Sequence, residues 1–462
     1  MNTIEQIKHK ISISKHHMLA DTLTPVGIYL QVRDRYPNSI LLESSDYHAK
    51  QNSKSYICCE PIAGIKLERD QLKLTYPDLS VEYQSLKEGT SLILELQKFI
   101  ESFEVDTSAG LHGYMTYDVV QHFETLSFKK SPEIPLMQYS LYRYVIEIDH
   151  FSNTIEVKEF QREGASSGLN DFIQNFSRLG HPNYKFETLD TESSNYSDED
   201  FLPLLEKGKE HCLKGDVFQI VLSREYQQRF KGDEFNVYRA LRSINPSPYL
   251  FYFDYGAFKL MGSSPEAQLV VKDNKATIHP IAGTFRRTGD DQADMELAEA
   301  LSKDEKENSE HVMLVDLARN DLSRVSNNVK VEVFKEVQFY SHVIHLVSKV
   351  TGEIQSSDSL EMMANTFPAG TLSGAPKYKA MSLIEEYENQ SRGFYGGAIG
   401  FLGFDGSVNL AIMIRSIMSK QGVLHYQAGA GVVAKSIVSS ELQEVENKLA
   451  VLRKAINQAS KL

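Results

Sequence analysis

Gly397-Ala-Ile-Gly-Phe-Leu-Gly-Phe-Asp405-Gly406-Ser-Val-Asn-Leu-Ala-Ile-Met-Ile-Arg415 decides the fold class. Two apolar runs flank Asp405-Gly406, a dipeptide suited to the left-handed turn of a β-hairpin. A hairpin makes antiparallel sheet, and antiparallel sheet with helices packed outside is an α+β layout, not a strand–helix alternation. In the second run Ala411, Met413, Arg415 and Ile417 fall on one face of the predicted strand. A guanidinium among apolar neighbours needs an anion, and a carboxylate held bidentately is the natural one. That carboxylate belongs either to an internal Asp or Glu or to a ligand.

Further from the hairpin, Ser197 is predicted to cap a helix over about 199–214 that Gly215 stops, with a strand following over 216–224. Short β-like runs at 39–42 and 142–148 put sheet in the first part of the chain as well. Residues 184–200, YKFETLDTESSNYSDED, are polar and acidic and read as a surface linker between an N-terminal region, 1–183, and a C-terminal region, 201–462.

The net charge of −13 argues against nucleic acid or an anionic membrane as partner, and an anionic small substrate would need local cations. The three cysteines, Cys58, Cys59 and Cys212, have neither metal-ligand nor disulfide spacing, which suits a reducing compartment. The first twenty residues lack a continuous apolar core, and no span suits a membrane, so a soluble, cytoplasmic protein is expected.

Two Glu-x-x-Glu steps stand out, Glu307/Glu310 and Glu441/Glu444. Residues three apart share a helix face, so each step aims two carboxylates one way. Four such carboxylates suit a hard octahedral cation such as Mg2+. With 62 acidic residues in the chain, spacing alone proves little and context decides. Glu307 and Glu310 continue into Leu314 and Leu317, the apolar stripe of a helix, which sets the carboxylates beside a buried surface. Ser440-Glu-Leu-Gln443 reads as a capping box, placing Glu441 and Glu444 in a first turn with Lys448 on the same side. Acids there also serve the helix dipole alone.

Gly429-Ala-Gly431-Val-Val-Ala434 resembles a dinucleotide fingerprint by letters, but the next helix starts too late. Amides bared by those glycines could hold a carboxylate instead. Residues 367–377 offer hydroxyls and amides ahead of a helix, a second anion cradle. His345, on an apolar strand or helix, is by itself more often a core residue than a catalyst.

Several motifs occur together and in order: Gly215-Asp-Val-Phe-Gln-Ile-Val-Leu-Ser-Arg224, Asn245-Pro-Ser-Pro-Tyr249, Ser264-Pro-Glu266, Pro280-Ile-Ala-Gly-Thr284, Glu310-His-Val-Met-Leu-Val-Asp-Leu-Ala-Arg-Asn-Asp321, Gly370-Thr-Leu-Ser-Gly-Ala-Pro-Lys377 and Gln427-Ala-Gly-Ala-Gly-Val-Val433. In these the chain resembles the chorismate-utilising enzymes over residues 200–455, and more thinly through Leu41-Leu-Glu-Ser44. The resemblance implies one large α+β body with two orthogonally packed antiparallel sheets flanked by helices. It implies Mg2+ on Glu307, Glu310, Glu441 and Glu444, holding the ring carboxylate of chorismate. Gly283, Thr284, Tyr395, Arg415, Gly429, Ala430, Gly431 and Lys448 match substrate-binding positions. Glu266 matches the acid that protonates the departing C4 hydroxyl, which calls for a raised pKa, with Thr371 nearby. His345 matches the residue assisting the later elimination.

Two positions select the product among branches of that family. Branches that use water carry lysine where Gln219 stands, and the aminodeoxychorismate-forming branch usually carries lysine at Ala282. Neither lysine is present. The resemblance therefore implies amination at C2 by ammonia, then loss of pyruvate to anthranilate, the first committed step of tryptophan biosynthesis. The alternatives are aminodeoxychorismate formation, isochorismate or salicylate formation, and a ligand-binding module without turnover. No Gly-x-Cys-x-Gly-x-Gln motif surrounds a cysteine, so ammonia is expected from a separate glutamine amidotransferase subunit (component II), in a heterotetramer of two large and two small subunits. Glu43, Ser44, Lys54, Asn245, Pro248, Tyr249 and Leu250 resemble the family's tryptophan feedback site, in the N-terminal regulatory region and the Pro-rich turn it meets.

Overall fold

The computed structural model describes residues 8–44, 53–86, 90–106, 108–176, 182, 184–339 and 343–462. The hairpin forms: Ala398–Gly403 pairs antiparallel with Val408–Ile412, Ile399 opposite Ala411 and Leu402 opposite Val408. The Asp405 carboxylate accepts from the Ser407 N–H and hydroxyl at 2.9 and 2.6 Å. Gly406 takes φ +83°, and a Cβ there would lie 2.6 Å from the Ser356 carbonyl oxygen, so only glycine turns this corner.

Arg415 does not lie on a strand face, contrary to the alternation in the sequence. The strand stops at Ile412, Arg415 sits in a bend at φ +48°, and Ser416–Lys420 begins a new strand. The cause is a change of partner. Val408–Ile412 pairs with Ala267–Lys272, whereas Ser416–Lys420 pairs with Phe258–Ser264. Period-two alternation cannot register a strand that leaves one set of partners for another.

The pairings form two antiparallel runs. One passes from Thr154–Arg162 through Met137–Asp149, Lys54–Glu68, Ile40–Glu43, Tyr249–Asp254, Phe258–Ser264, Ser416–Lys420 and Val423–Val433 to Gln219–Gly232. The other leaves Met137–Asp149 through Gly110–Met115 and the hairpin to Ala267–Lys272, Lys275–Ile278, Val343–Glu353 and Ile281–Arg286. Both share the long pair Lys54–Glu68 and Met137–Asp149, whose register shifts between Pro61 and Ala63. The result is a mixed α+β body of antiparallel sheet with helices against it. Strands from the first 183 residues pair directly with strands beyond residue 201. Within 184–200, two short strands, Phe186–Thr188 and Ser193–Ser194, pair with Gln219–Gly232.

Strand Tyr249–Asp254 explains the two apolar cores. Phe251 and Phe253 enter one with Tyr114 and Leu260, while Leu250 and Tyr252 enter the other with Tyr29 and Phe235. A strand buried on both faces reads as a continuous apolar run. Each such side chain contributes about 1.5–3 kcal/mol on burial, so a one-residue slip is strongly disfavoured. Cys58 and Cys59 divide between the same cores, and all three cysteines are buried free thiols.

Helix Asp198–Lys214 starts and stops as its sequence indicates: the Ser197 hydroxyl accepts from the Asp200 N–H at 3.2 Å, and Gly215 takes φ +82°. The strand after it starts at Gln219, not 216, and runs to Gly232. The last helix departs from expectation. It spans Val438–Ala459 with Ile437 at its N-cap and no side-chain cap, so Ser440 is inside the first turn and no capping box forms there. Val438 is buried in the core with Val445 and Leu449, and that packing sets the start. No described helix is long and apolar enough to cross a membrane.

Candidate active site

The chain passes between the two runs of strands at two neighbouring places, and each crossing carries a charged residue. Glu266 lies between Phe258–Ser264 and Ala267–Lys272, and Arg415 lies in the bend after Ile412. Two backbone bonds lock the crossings together: Ile412 N–H to Glu266 O at 3.0 Å and Ser263 N–H to Arg415 O at 3.1 Å.

Burial pushes the Glu266 carboxyl up to about 7, against the opposing pull of the Thr371 hydroxyl bond and the Arg415 and Lys448 charges. The Thr371 hydroxyl donates to Glu266 Oε1 at 3.0 Å. Burial lowers the pKa of Arg415, and Glu266 partly offsets this. Among the described residues no carboxylate lies within 4.0 Å of the Arg415 guanidinium. Among the described residues the internal ion pair that the sequence left open is therefore not made, and the guanidinium suits a ligand's carboxylate.

His345 lies in strand Val343–Glu353, and its Nδ1 donates to the Gly283 carbonyl at 2.7 Å. That carbonyl is aimed by a bulge: register shifts between Ala282 and Thr284, leaving Gly283 at φ +68°. A Cβ on Gly283 would lie 2.7 Å from Leu301 Cδ1 and 3.3 Å from Glu307 Oε2, so glycine is required there. Burial pushes the His345 imidazole down, favouring the neutral ring. Ala282 is buried beside the bulge; the Thr284 side chain is outside the described set.

Gly429 and Gly431 lie inside strand Val423–Val433, which removes the dinucleotide-fingerprint reading. Their missing side chains make room. A Cβ on Gly431 would lie 2.5 Å from Gln219 Nε2, and one on Gly429 would lie 3.1 Å from the Tyr395 hydroxyl. Ala430, between them, is buried against Leu222 on the neighbouring strand. Tyr395 is buried, with the Gly429 N–H on its hydroxyl.

The four glutamates occupy two helices. In Glu305–Ser323 the Asp304 carboxylate caps the Glu307 N–H at 2.9 Å, Glu307 and Glu310 are half-buried, and Leu314 is buried below them. Gln219 Nε2 donates to Glu310 Oε1 at 3.1 Å. In Val438–Ala459, Glu441 is buried and Lys448 pairs with Glu444 at 2.6 Å while donating to the Gly429 carbonyl at 2.9 Å. Glu310 thus reaches strand Gln219–Gly232, and Glu444 is linked through Lys448 to strand Val423–Val433. The four glutamates do not close into one cluster: among the described residues no three His, Cys, Asp or Glu side chains are grouped to hold a metal ion.

A second polar cluster gathers around Glu43. Its carboxylate accepts from the Tyr238 hydroxyl at 2.6 Å and from Arg242 Nε and Nη2 at 2.7 and 2.8 Å. Glu43 is opposite Leu250 in the ladder, Ser44 N–H donates to the Lys54 carbonyl at 3.2 Å, and Lys54 pairs with Glu147. Asn245 donates to the Ser247 and Ser263 hydroxyls, and Pro248 and Tyr249 are half-buried at the turn. Tyr238 and Arg242 escaped the sequence reading, although their i, i+4 spacing just before Asn245 puts them on one helix face.

Residues 42–454 match the chorismate binding enzyme family. Anthranilate synthase component 1 of Aquifex aeolicus is 37% identical, covering 95% of this chain and 93% of that protein. The Bacillus subtilis anthranilate synthase component 1 is 36% identical, covering 95% and 90%. The crystal structure of anthranilate synthase component I from Streptococcus pneumoniae superposes with a TM-score of 0.77 at 30% identity, covering 94% of this chain and 99% of that one. The menaquinone-specific isochorismate synthase of Escherichia coli shares the fold, with a TM-score of 0.75 at 19% identity and coverage of 97% and 95%.

Proposed function

The chain belongs to the chorismate binding enzyme family, in its anthranilate synthase component 1 branch, and from that premise we propose how its residues carry out the reaction. Ammonia forms a bond to C2 of chorismate as the C4 hydroxyl leaves, and pyruvate is then eliminated to give anthranilate. The observation that carries this is the Glu266–Arg415 pair of crossings: a carboxyl whose pKa burial raises to about 7, beside an arginine with no carboxylate within 4.0 Å among the described residues.

Arg415, Tyr395, Lys448 and the Gly283, Thr284 and Gly429–Gly431 backbone bind the substrate's carboxylates. Glu266, oriented by the Thr371 hydroxyl, gives its proton to the C4 oxygen as that bond breaks, so water leaves and not hydroxide. The double bonds shift toward C4 and the ring accepts nitrogen at C2. In the second stage the C2 proton is removed, the C3–oxygen bond breaks and the ring becomes aromatic. His345 assists: with its Nδ1 proton on Gly283, the other ring nitrogen is the basic one. Gln219 and Ala282 present no amine, leaving ammonia as the nucleophile.

Glu307, Glu310, Glu441 and Glu444 are hard oxygen donors of the kind Mg2+ takes, and they are the residues that would hold it. With Mg2+ bound there, the site would gain the positive charge that fixes the ring carboxylate.

The reading extends to the rest of the molecule. Two orthogonally packed sheets are supported by the shared long strands and by the two-faced burial of Tyr249–Asp254. Residues 1–183 form the regulatory region, 184–200 connect it, and 201–462 carry the chemistry. Tryptophan binds around Glu43, Ser44, Lys54, Asn245, Pro248, Tyr249 and Leu250. A glutamine amidotransferase subunit, component II, supplies ammonia in a cytoplasmic heterotetramer of two large and two small subunits. The test is growth of anthranilate fluorescence from chorismate, ammonium and Mg2+, abolished by chelation; a signal indifferent to chelator contradicts the metal assignment.

A further inference from the structure

Several walls of the carboxylate cradle meet at a buried ion pair to which no role has been given. Arg392 is 3% exposed and its partner Glu388 4%. Arg392 Nε donates to Glu388 Oε2 at 2.8 Å and Nη2 to Oε1 at 2.6 Å. The same guanidinium donates to the Leu372 carbonyl at 2.5 Å and the Val221 carbonyl at 2.6 Å. It lies 4.8 Å from the centre of the Tyr117 ring and 5.8 Å from that of Tyr395. Glu388 also accepts from the Ser223 N–H and hydroxyl, each at 2.8 Å, and the Ser223 hydroxyl accepts from Gln427 Nε2 at 2.8 Å.

Four of these contacts lead to residues of the site. Leu372 follows Thr371, Val221 is two residues along the strand from Gln219, Gln427 is two from Gly429, and the Tyr395 ring centre lies 5.8 Å from the guanidinium. Desolvating a guanidinium and a carboxylate is costly, and an apolar pair of similar volume fills a core at least as well. What only the planar fork provides is simultaneous direction to a carboxylate, two carbonyls from separate segments and an aromatic face.

We propose that Arg392 is a positioning residue for chorismate, holding the Tyr395 hydroxyl, the Thr371 turn and the Gln219–Gly429 strand pair in the one arrangement that receives the carboxylates. The proposal rests on the function above. A lysine at 392 keeps the charge and can still pair with Glu388, but it cannot reach both carbonyls and stay against the Tyr395 ring.

The experiment compares wild type, Arg392→Lys, Tyr395→Phe and the double variant. In Arg392→Lys the KM for chorismate is expected to rise about tenfold or more, because small misplacements of a binding wall are amplified in this way. The KM for ammonium stays within about twofold, since the cradle holds the other substrate. In the Tyr395→Phe background the same substitution costs clearly less, because the two act through one group. A fall in melting temperature with unchanged KM, or full additivity with Tyr395→Phe, overturns the proposal. If Arg392→Lys does not fold, Ser223→Ala removes a hydroxyl from Glu388 and must raise the chorismate KM in the same direction; an unchanged KM overturns it. Wild-type chain that binds chorismate without making anthranilate would remove the functional reading alone, because chorismate Kd by calorimetry then carries the same comparison.

Discussion

Gln219 Nε2 donates to Glu310 Oε1 at 3.1 Å, joining the residue assigned to nucleophile choice to one assigned to the metal. The Gln219 side chain fits because residue 431 is glycine, where a Cβ would lie 2.5 Å from the same nitrogen. On the proposed roles, this bond would couple nucleophile choice to metal binding. Gln219→Leu removes the donor and leaves Glu310 without that restraint. The Mg2+ concentration for half-maximal rate is expected to rise about tenfold, the usual size for a lost partner of a metal ligand. An unchanged Mg2+ requirement would mean that the contact does not orient the carboxylate.

Glu266 is expected to set the pH dependence of the rate. Its carboxyl is pushed up to about 7 by burial, and the proton-donating form exists below that value. The kcat/KM for chorismate should therefore be level on the acid side and fall about tenfold per pH unit above the pKa. Glu266→Gln cannot donate a carboxylic proton and is expected to lose about 10²–10⁴ in rate together with that alkaline limb. A limb that persists in the glutamine variant assigns the ionisation elsewhere.

Ala282 is buried in the bulged strand next to Gly283. Ala282→Lys brings an amine to this position, and on the proposed reading it should divert or abolish anthranilate formation. Chromatography of the products checks this, and an undiminished anthranilate yield would sink this account of selectivity.

Glu43 holds Arg242 and Tyr238 in the cluster assigned to tryptophan, and Asn245 in that cluster bonds to Ser263, whose N–H holds the Arg415 carbonyl. Arg242 is partly exposed, so its pair with Glu43 is discounted from a fully buried one. Glu43→Gln is expected to raise the tryptophan concentration for half-inhibition about tenfold while leaving the uninhibited rate nearly unchanged. Equal sensitivity in wild type and variant would place the feedback site elsewhere.

What was legible in the sequence was local. The Asp405-Gly406 turn, the Ser197 cap and the Gly215 stop each depend on a few neighbouring residues, and each formed. The stripe of Glu307, Glu310 and Leu314 also held, because one helix determines it. The crossings at Glu266 and Arg415 were hidden: a strand that changes partners between Ile412 and Ser416 looks continuous to a period-two pattern. The last helix started at Val438 because tertiary packing outweighed the apparent capping box. The bulge did leave a signal, since Gly283 interrupts an otherwise β-like run. Arg392 left only the i, i+4 spacing to Glu388 as a local signal; its partners Val221, Leu372 and Tyr117 are distant in sequence.

The central claim is that this chain aminates chorismate and carries the product through to anthranilate. The most direct measurement incubates the purified chain with chorismate, Mg2+ and 15N-labelled ammonium and identifies the products by chromatography and mass spectrometry. The account predicts labelled anthranilate and pyruvate in equal amounts; aminodeoxychorismate, isochorismate or unchanged chorismate would contradict it.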